Sequence, residues 1–362
     1  MRSSYKEKDV IFLLKDITGE VEPQSTEERE QQIQAGRHYC EMLPIEYVPS
    51  QKYMEVYQEA LKIYAKPTAL AVGILADKII RKKGEQVVLV SLARAGTPIG
   101  ILLKRYIYKK YNIDVPHYSI SIIRERGIDH NAMKFLLEKY HAKNLLFVDG
   151  WIGKGAILGE LKKEVAKYQG VSADIAVLAD PAKVTNLCGT HEDILIPSSC
   201  LNCTVSGLVS RTFLRKDIIG AEDFHGAVYY GELKDSDLSY HFIETIEKEF
   251  KEKIEFGQSN SNRCNSELCN SNLYQGSGIE EVKKIAQDFN VLDLNLIKPG
   301  IGETTRVLLR RVPWKVLISY NCKNDKALTH ILRLAEEKAV PIEYYSLKHY
   351  KTCGIIKKLA DA

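Results

Sequence analysis

Two glycine-rich turns in this chain carry the residue types that grip a phosphate. The first, Leu92-Ala93-Arg94-Ala95-Gly96-Thr97-Pro98-Ile99-Gly100, follows the apolar run at 86–91. Small residues let a backbone turn sharply and aim its N–H groups at an anion, and a following helix points its positive end the same way. Arg94, Ala95, Gly96 and Thr97 are thus candidate ligands of a diphosphate, although a bare strand-to-helix turn needs small residues too. The second turn, Asp149-Gly150-Trp151-Ile152-Gly153-Lys154-Gly155-Ala156, follows the apolar run at 144–148. A carboxylate at a strand's carboxyl end accepts hydrogen bonds from ribose hydroxyls. Gly150, Gly153 and Gly155 offer N–H groups, and Lys154 a cation, to a phosphate. The pattern G-x-x-x-x-G-K-[ST] of a nucleoside-triphosphate loop is absent, because Gly155 follows Lys154.

Three further segments hold reactive side chains. Arg124-Glu125-Arg126-Gly127-Ile128-Asp129-His130 is a polar stretch after the strand-like 118–123, placed to act as a loop over a site. Thr204–Thr212 is dense in hydroxyls around Arg211; Ser206 can cap a helix, or Ser206, Ser210 and Arg211 can contact a ligand. Near the C-terminus, Lys298-Pro299-Gly300-Ile301-Gly302-Glu303-Thr304-Thr305-Arg306 opens a helix. Such a junction presents N–H donors and cations to an RNA backbone through Gly300, Gly302, Thr305, Arg306 and Arg310, or it is a plain helix start with Glu303 complementing the dipole. Cysteine chemistry needs a thiolate beside a base. Cys40 with His38, and Cys203 with His225, are the conceivable pairs, without a local protease signature. Cys200-Leu201-Asn202-Cys203 is a single CxxC with no second pair at zinc spacing, so no metal site is expected from protein ligands alone.

The elements that position these residues alternate. Apolar runs at 86–91, 118–123, 144–148 and 174–178 read as strands, and 99–111, 131–141 and 156–168 as helices. That order predicts βαβ units and a doubly wound parallel α/β sheet, with ligands beyond the strands' carboxyl ends. Upstream, Tyr53–Ala65 has helical spacing that Pro67 should stop. The stretch 256–278, rich in Ser, Asn and Gly, reads as a polar linker between domains at 1–255 and 279–362. The second domain reads as a small α/β/α sandwich closing on a helix at 354–359. It holds 15 Lys and Arg against 10 Asp and Glu, while the whole chain is only +4, so the basic excess lies in the last quarter. The polar start and the absence of a long apolar run point to neither export nor membrane, and eight scattered cysteines suit a reducing cytoplasm.

"LARAGTPIG" and "NLLFVDGWIGKGAI" together resemble the diphosphate loop and ribose-phosphate signature of type I phosphoribosyltransferases. Gly150 stands where that signature has a second acid. More closely, "HYCEMLPIEYVPS", "SISIIRERGIDHNA" and "LNCTVSGLVSRT" resemble the phosphoribosyltransferase-like proteins of bacterial tellurium-resistance (Ter-type) stress clusters, a family also labelled StiP cysteine protease. The resemblance implies phosphoribosyl diphosphate with Mg2+ as donor and a nucleobase-like acceptor. It implies Arg124 and Arg126 on the leaving diphosphate, Asp129 or His130 as acid or base, and His38, Glu41 and Glu46 in a hood over the acceptor. A cysteine hydrolase on the same scaffold, or a non-catalytic nucleotide and RNA sensor, is the alternative. The turn at 300–306 resembles the RNA-binding turn of Pelota-like proteins, with Gly302 in place of the usual Asn. There Glu303 is implied to accept a hydrogen bond from a base edge.

Overall fold

The computed structural model describes residues 1–251 and 277–357. Six strands form one fully parallel sheet: β1 (Ile11–Phe12), β2 (Val88–Leu92), β3 (His117–Ile120), β4 (Leu145–Trp151), β5 (Ile175–Ala179) and β6 (Cys188–Thr190), in the order β1-β3-β2-β4-β5-β6. Every residue of β2, β3 and β5 is buried, as expected of strands covered on both faces. One face carries helices α1 (Gln51–Lys83), α2 (Gly96–Tyr111) and α5 (Ser239–Lys248); the other carries α3 (His130–Lys139) and α4 (Ala156–Val165). Among β2 to β6, the chain leaves β2 for β3 on one side and later returns to β4 on the other, so the order reverses between β2 and β4. Both glycine-rich turns emerge at that switch point.

The long helix α1 corrects the expectation that Pro67 ends it. A proline frees the carbonyl four residues back. Here that residue, Ile63, and Pro67 both lie on the exposed face, so water can take the freed group, while Thr68 to Ile79 continue the buried stripe.

The second unit begins at α6 (Ser277–Asp288) and continues through β7 (Ile297–Pro299), α7 (Ile301–Arg310), β8 (Pro313–Ser319), α8 (Thr329–Glu337), β9 (Ile342–Tyr345) and β10 (Thr352–Ile356). Its mixed sheet runs β7-β10-β8-β9. The helix expected at 354–359 is replaced by β10, a central strand buried at every residue between β7 and β8; β-branched Thr352, Ile355 and Ile356 suit that position. Residues 358–359 of that expectation, and nearly all of the linker at 256–278, lie outside the described residues.

The two units share apolar packing. Ile301, Leu308 and Leu309 of α7 belong to the same buried cluster as Val56, Leu61 and Tyr64 of α1. Glu59 and Arg333 pair across the joint at 2.8 Å, and Tyr53 donates to the Leu309 carbonyl. Among the described residues no helix is long and apolar enough to cross a membrane.

A candidate active cleft between the two units

The turns after β2 and β4 meet closely. A Cβ on Gly96 would lie 2.3 Å from the Val148 carbonyl oxygen, so only glycine lets the loops approach. Gly155 takes φ +88°, again a glycine conformation, at the start of α4. Beside these turns is a cavity of about 250 Å³ lined by Ala95, Arg124, Asp149, Gly153, Lys154 and Gly155 of the first unit. Lys298, Pro299, Glu303 and Arg306 of the second unit close it.

Charge dominates this cleft. Burial pushes the Asp149 carboxyl up to about 7, against the hydrogen bond it accepts from the Gly150 N–H at 2.7 Å. Burial, with Lys298 and Arg124 nearby, brings Lys154 down to about 8. Lys154 donates to the Ile297 carbonyl at 3.2 Å, and Arg124 donates to the Asn295 side chain at 2.8 Å. Glu303 pairs with Arg306 at 3.1 Å, and the Arg306 guanidinium sits 5.8 Å from the centre of the Trp151 ring. Lys298 and Trp151 stand inside the two turn motifs without a role in the sequence reading, because a single lysine or indole carries no pattern.

Several residues singled out by sequence are committed elsewhere. Thr97 is buried and its hydroxyl bonds Ser119 at 2.8 Å, so it does not face a diphosphate. Arg94 pairs with Glu46 at 3.0 Å and donates to Val209 and Asn202, pointing at the 202–209 segment and away from the cavity. Gly150 is buried beneath the Ala95 carbonyl. Asp129 is not available as an acid or base: it caps α3 through the Ala132 N–H at 3.0 Å and accepts the His225 N–H at 2.6 Å. His130 is exposed beside Glu164 and Tyr168 and does not line the cavity. Ser206 donates to the Asn202 carbonyl and Ser210 to that of Arg211, so both hydroxyls serve the backbone.

The segment at 38–46 does cover the loops. Glu41 pairs with Arg126 at 3.1 Å, the Tyr39 hydroxyl accepts the Arg124 N–H, and Arg211 stacks 4.7 Å from the Tyr39 ring centre. Within it His38 Nδ1 lies 2.9 Å from Cys40 Sγ and accepts the Cys40 N–H at 3.3 Å. Burial pushes the Cys40 thiol up to about 11, while Arg126 and Arg211 pull it the other way. Cys203 and His225 are not a pair: His225 bonds Ser121 at 2.8 Å, and Cys203 is buried near Arg94 and Glu46, its thiol pushed up to about 12. A third pair is Cys188 with His191, whose ring Asp180 orients through its carbonyl; only the pairing of β5 with β6 brings the three together.

The turn predicted to meet RNA faces this cleft. Gly300 takes φ +94°, and its N–H bonds the Thr352 carbonyl. Gly302 packs against Ser199. Thr305 is fully buried and bonds His330 at 2.9 Å, which removes it from any RNA surface. Arg310 ends α7.

Residues 3–247 match the family described as "Tellurite-like stress resistance cysteine protease StiP", and residues 276–358 match the PELOTA RNA-binding domain. A curated relative, "Cysteine protease StiP" of Acinetobacter baylyi, is 34% identical over 98% of this chain and 94% of its own length. Two crystal structures of a hypoxanthine-guanine phosphoribosyltransferase from Bacillus anthracis are also similar. They are 17% identical, with TM-scores of 0.24 and 0.25, covering 41% and 42% of this chain and 82% and 85% of theirs. The names found favour the cysteine hydrolase that the sequence held as an alternative over phosphoribosyl transfer. This α/β chain, with its parallel sheet and C-terminal Pelota-like domain, belongs to the StiP family.

Proposed function

We propose that the chain is a cysteine hydrolase of peptide bonds, with Cys40 as nucleophile and His38 as its base. The observation that carries this reading is the 2.9 Å approach of Cys40 Sγ to His38 Nδ1. Because Nδ1 also accepts the Cys40 N–H, its lone pair rather than a proton faces the thiol. His38 would take the thiol proton, and the thiolate would attack the peptide carbonyl carbon. The tetrahedral intermediate then expels the amine, which leaves with the proton from His38; water hydrolyses the remaining thioester. Burial holds the Cys40 thiol up at about 11, and Arg126 and Arg211 only partly offset it, so the thiolate would form as His38 takes the proton. Cys40 is buried, so substrate access needs the Glu41–Arg126 pair and the Tyr39–Arg124 bond to part. The family's printed description and the name of the Acinetobacter relative support the reading. Cys40→Ala and His38→Ala should each cut hydrolysis of a labelled casein substrate at least about 100-fold, the scale of a lost nucleophile or base, and Cys203→Ala should not. Full turnover by Cys40→Ala would overturn it.

A second reading is favoured by the cleft itself: binding of phosphoribosyl diphosphate at the switch point, next to RNA held by the second unit. Arg124, Lys154, Lys298 and Arg306 supply the cations for phosphates. The donors also suit Mg2+, which prefers carboxylate oxygens: Asp149 and Glu303 both line the cavity and would hold it, where it would offset the charge of the diphosphate. Asp149→Ala should abolish binding of phosphoribosyl diphosphate in calorimetry while the chain stays folded. Unchanged affinity would dismiss the assignment.

A further inference from the structure

The segment that follows β5 brings three metal-ligating side chains together outside the cleft. Asp180, Cys188 and His191 each offer a ligand atom, and these atoms lie within 4.8 Å of one another. Cys188 Sγ is 3.4 Å from His191 Nε2. In a tetrahedral zinc site, bonds of about 2.3 Å to sulfur and about 2.0 Å to nitrogen put those ligands about 3.5 Å apart. The spacing therefore already matches one edge of such a tetrahedron.

The surroundings complete the case. His191 Nδ1 lies 2.9 Å from the Asp180 carbonyl oxygen, so Nδ1–H donates there and Nε2 keeps its lone pair towards the thiol. That is the outer bond by which metal-bound imidazoles are oriented. Asp180 is fully buried; its Oδ2 accepts the Val184 and Thr185 N–H groups, but its Oδ1 has no partner. A buried carboxylate oxygen without a donor is costly unless something positive meets it. Cys188 is buried too, while His191 is 41% exposed and leaves a way in and room for a fourth ligand. One thiolate and one carboxylate together balance a divalent cation.

We propose that Asp180, Cys188 and His191 form a three-ligand site for a zinc-class divalent cation. The site lies under the joint between the two units. Ala182 accepts the Gly278 N–H at 3.4 Å, and Asp193, two residues past His191, accepts the N–H groups of Ile301 and Lys351. A cation here ties the end of β5 to β6 and stiffens the platform on which the second unit docks.

The test is titration of the full-length, metal-stripped chain with Co2+, whose bond to a thiolate gives a near-ultraviolet charge-transfer band, followed by displacement with Zn2+. One equivalent should produce the band, and Zn2+ should remove it and raise the thermal unfolding temperature. Cys188→Ser should abolish the band; His191→Ala, at a half-exposed position that folding tolerates, should weaken Co2+ binding at least tenfold. Cys203→Ser and Cys40→Ser should leave both readouts unchanged. Absence of the band in the wild-type chain, its persistence in Cys188→Ser, or unchanged Co2+ affinity in His191→Ala overturns the assignment.

Discussion

Asp193→Ala should loosen the joint that closes the cleft. Asp193 is only 5% exposed, and its carboxylate accepts the Ile301 N–H at 2.9 and 3.2 Å and the Lys351 N–H at 2.9 Å. Ile301 opens α7, so the acid also sits at a helix's positive end. Hydrogen bonds to a charged group contribute about 1.5–3 kcal/mol each, so two of them are worth about 3–6 kcal/mol. Burial opposes this, raising the carboxyl from 3.8 to about 6. At about 1.4 kcal/mol per pKa unit, the ionised group gives back about 3 kcal/mol. The net loss expected above pH 7 is thus at most about 3 kcal/mol. The sign of the pH dependence follows from the raised value. The proton-linked stability is fully present below 3.8, and it is lost as pH rises through about 6. Against Asp193→Asn, which cannot titrate, the wild-type chain should lose about 3 kcal/mol of relative stability between pH 4 and pH 8. Amide hydrogen exchange at Ile301 and Lys351, read alongside thermal unfolding, measures both effects. Unchanged protection of those amides in Asp193→Ala, or a stability difference flat with pH, would refute the reasoning.

Gly100→Ala should destabilise the first unit by about 1–3 kcal/mol, because the added Cβ would come within 2.2 Å of His117 Nε2 and 2.3 Å of Ser91 Oγ, both buried; a thermal melt checks it. Since the turn at 300–306 packs into the cleft, Asp193→Ala should bind structured RNA more tightly than the wild-type chain at equal salt, and filter binding at two salt concentrations would show it. Arg306→Ala in that background should lower affinity and flatten the salt slope by about one unit if Arg306 meets one phosphate.

The sheet and its loops were legible because apolar period and glycine position are local signals. Short apolar strands such as VLVSL and IAVLA and turns of small residues read the same alone as they do packed. Partner choice was not legible. Thr97 at a helix start and Asp129 and Ser210 outside the helices are polar residues whose spacing does not tell a ligand from an internal partner; Thr97 bonds Ser119, and Asp129 proved to be a helix cap joined to His225. The strand β10 was misread as a helix because a run of three or four apolar residues has no decisive period, and only its two neighbours in the sheet settle it. Cys188 and His191 are three apart in sequence, yet their meaning depends on Asp180, just past the carboxyl end of β5, which the fold returns beside β6.

The least legible feature was the composite cleft. By sequence, the Asp149 turn lacks the second acid of the signature it resembles, since Gly150 stands there. By structure, another carboxylate lines the same cavity, and it comes from Glu303, 154 residues downstream. Its presence helps to keep Asp149 protonated towards neutrality, while Arg306 and Lys298 hold Glu303 itself below its ordinary value. The turn at 300–306 thus also supplies an acid and a cation, and the adjoining strand a second cation, Lys298, to a cleft in the first unit. An RNA phosphate that draws Arg306 away would leave Glu303 and Asp149 facing each other with less compensation. If RNA engages Arg306, its binding and the charge of the cleft would be linked through one ion pair of 3.1 Å, and neither domain read alone contains that link.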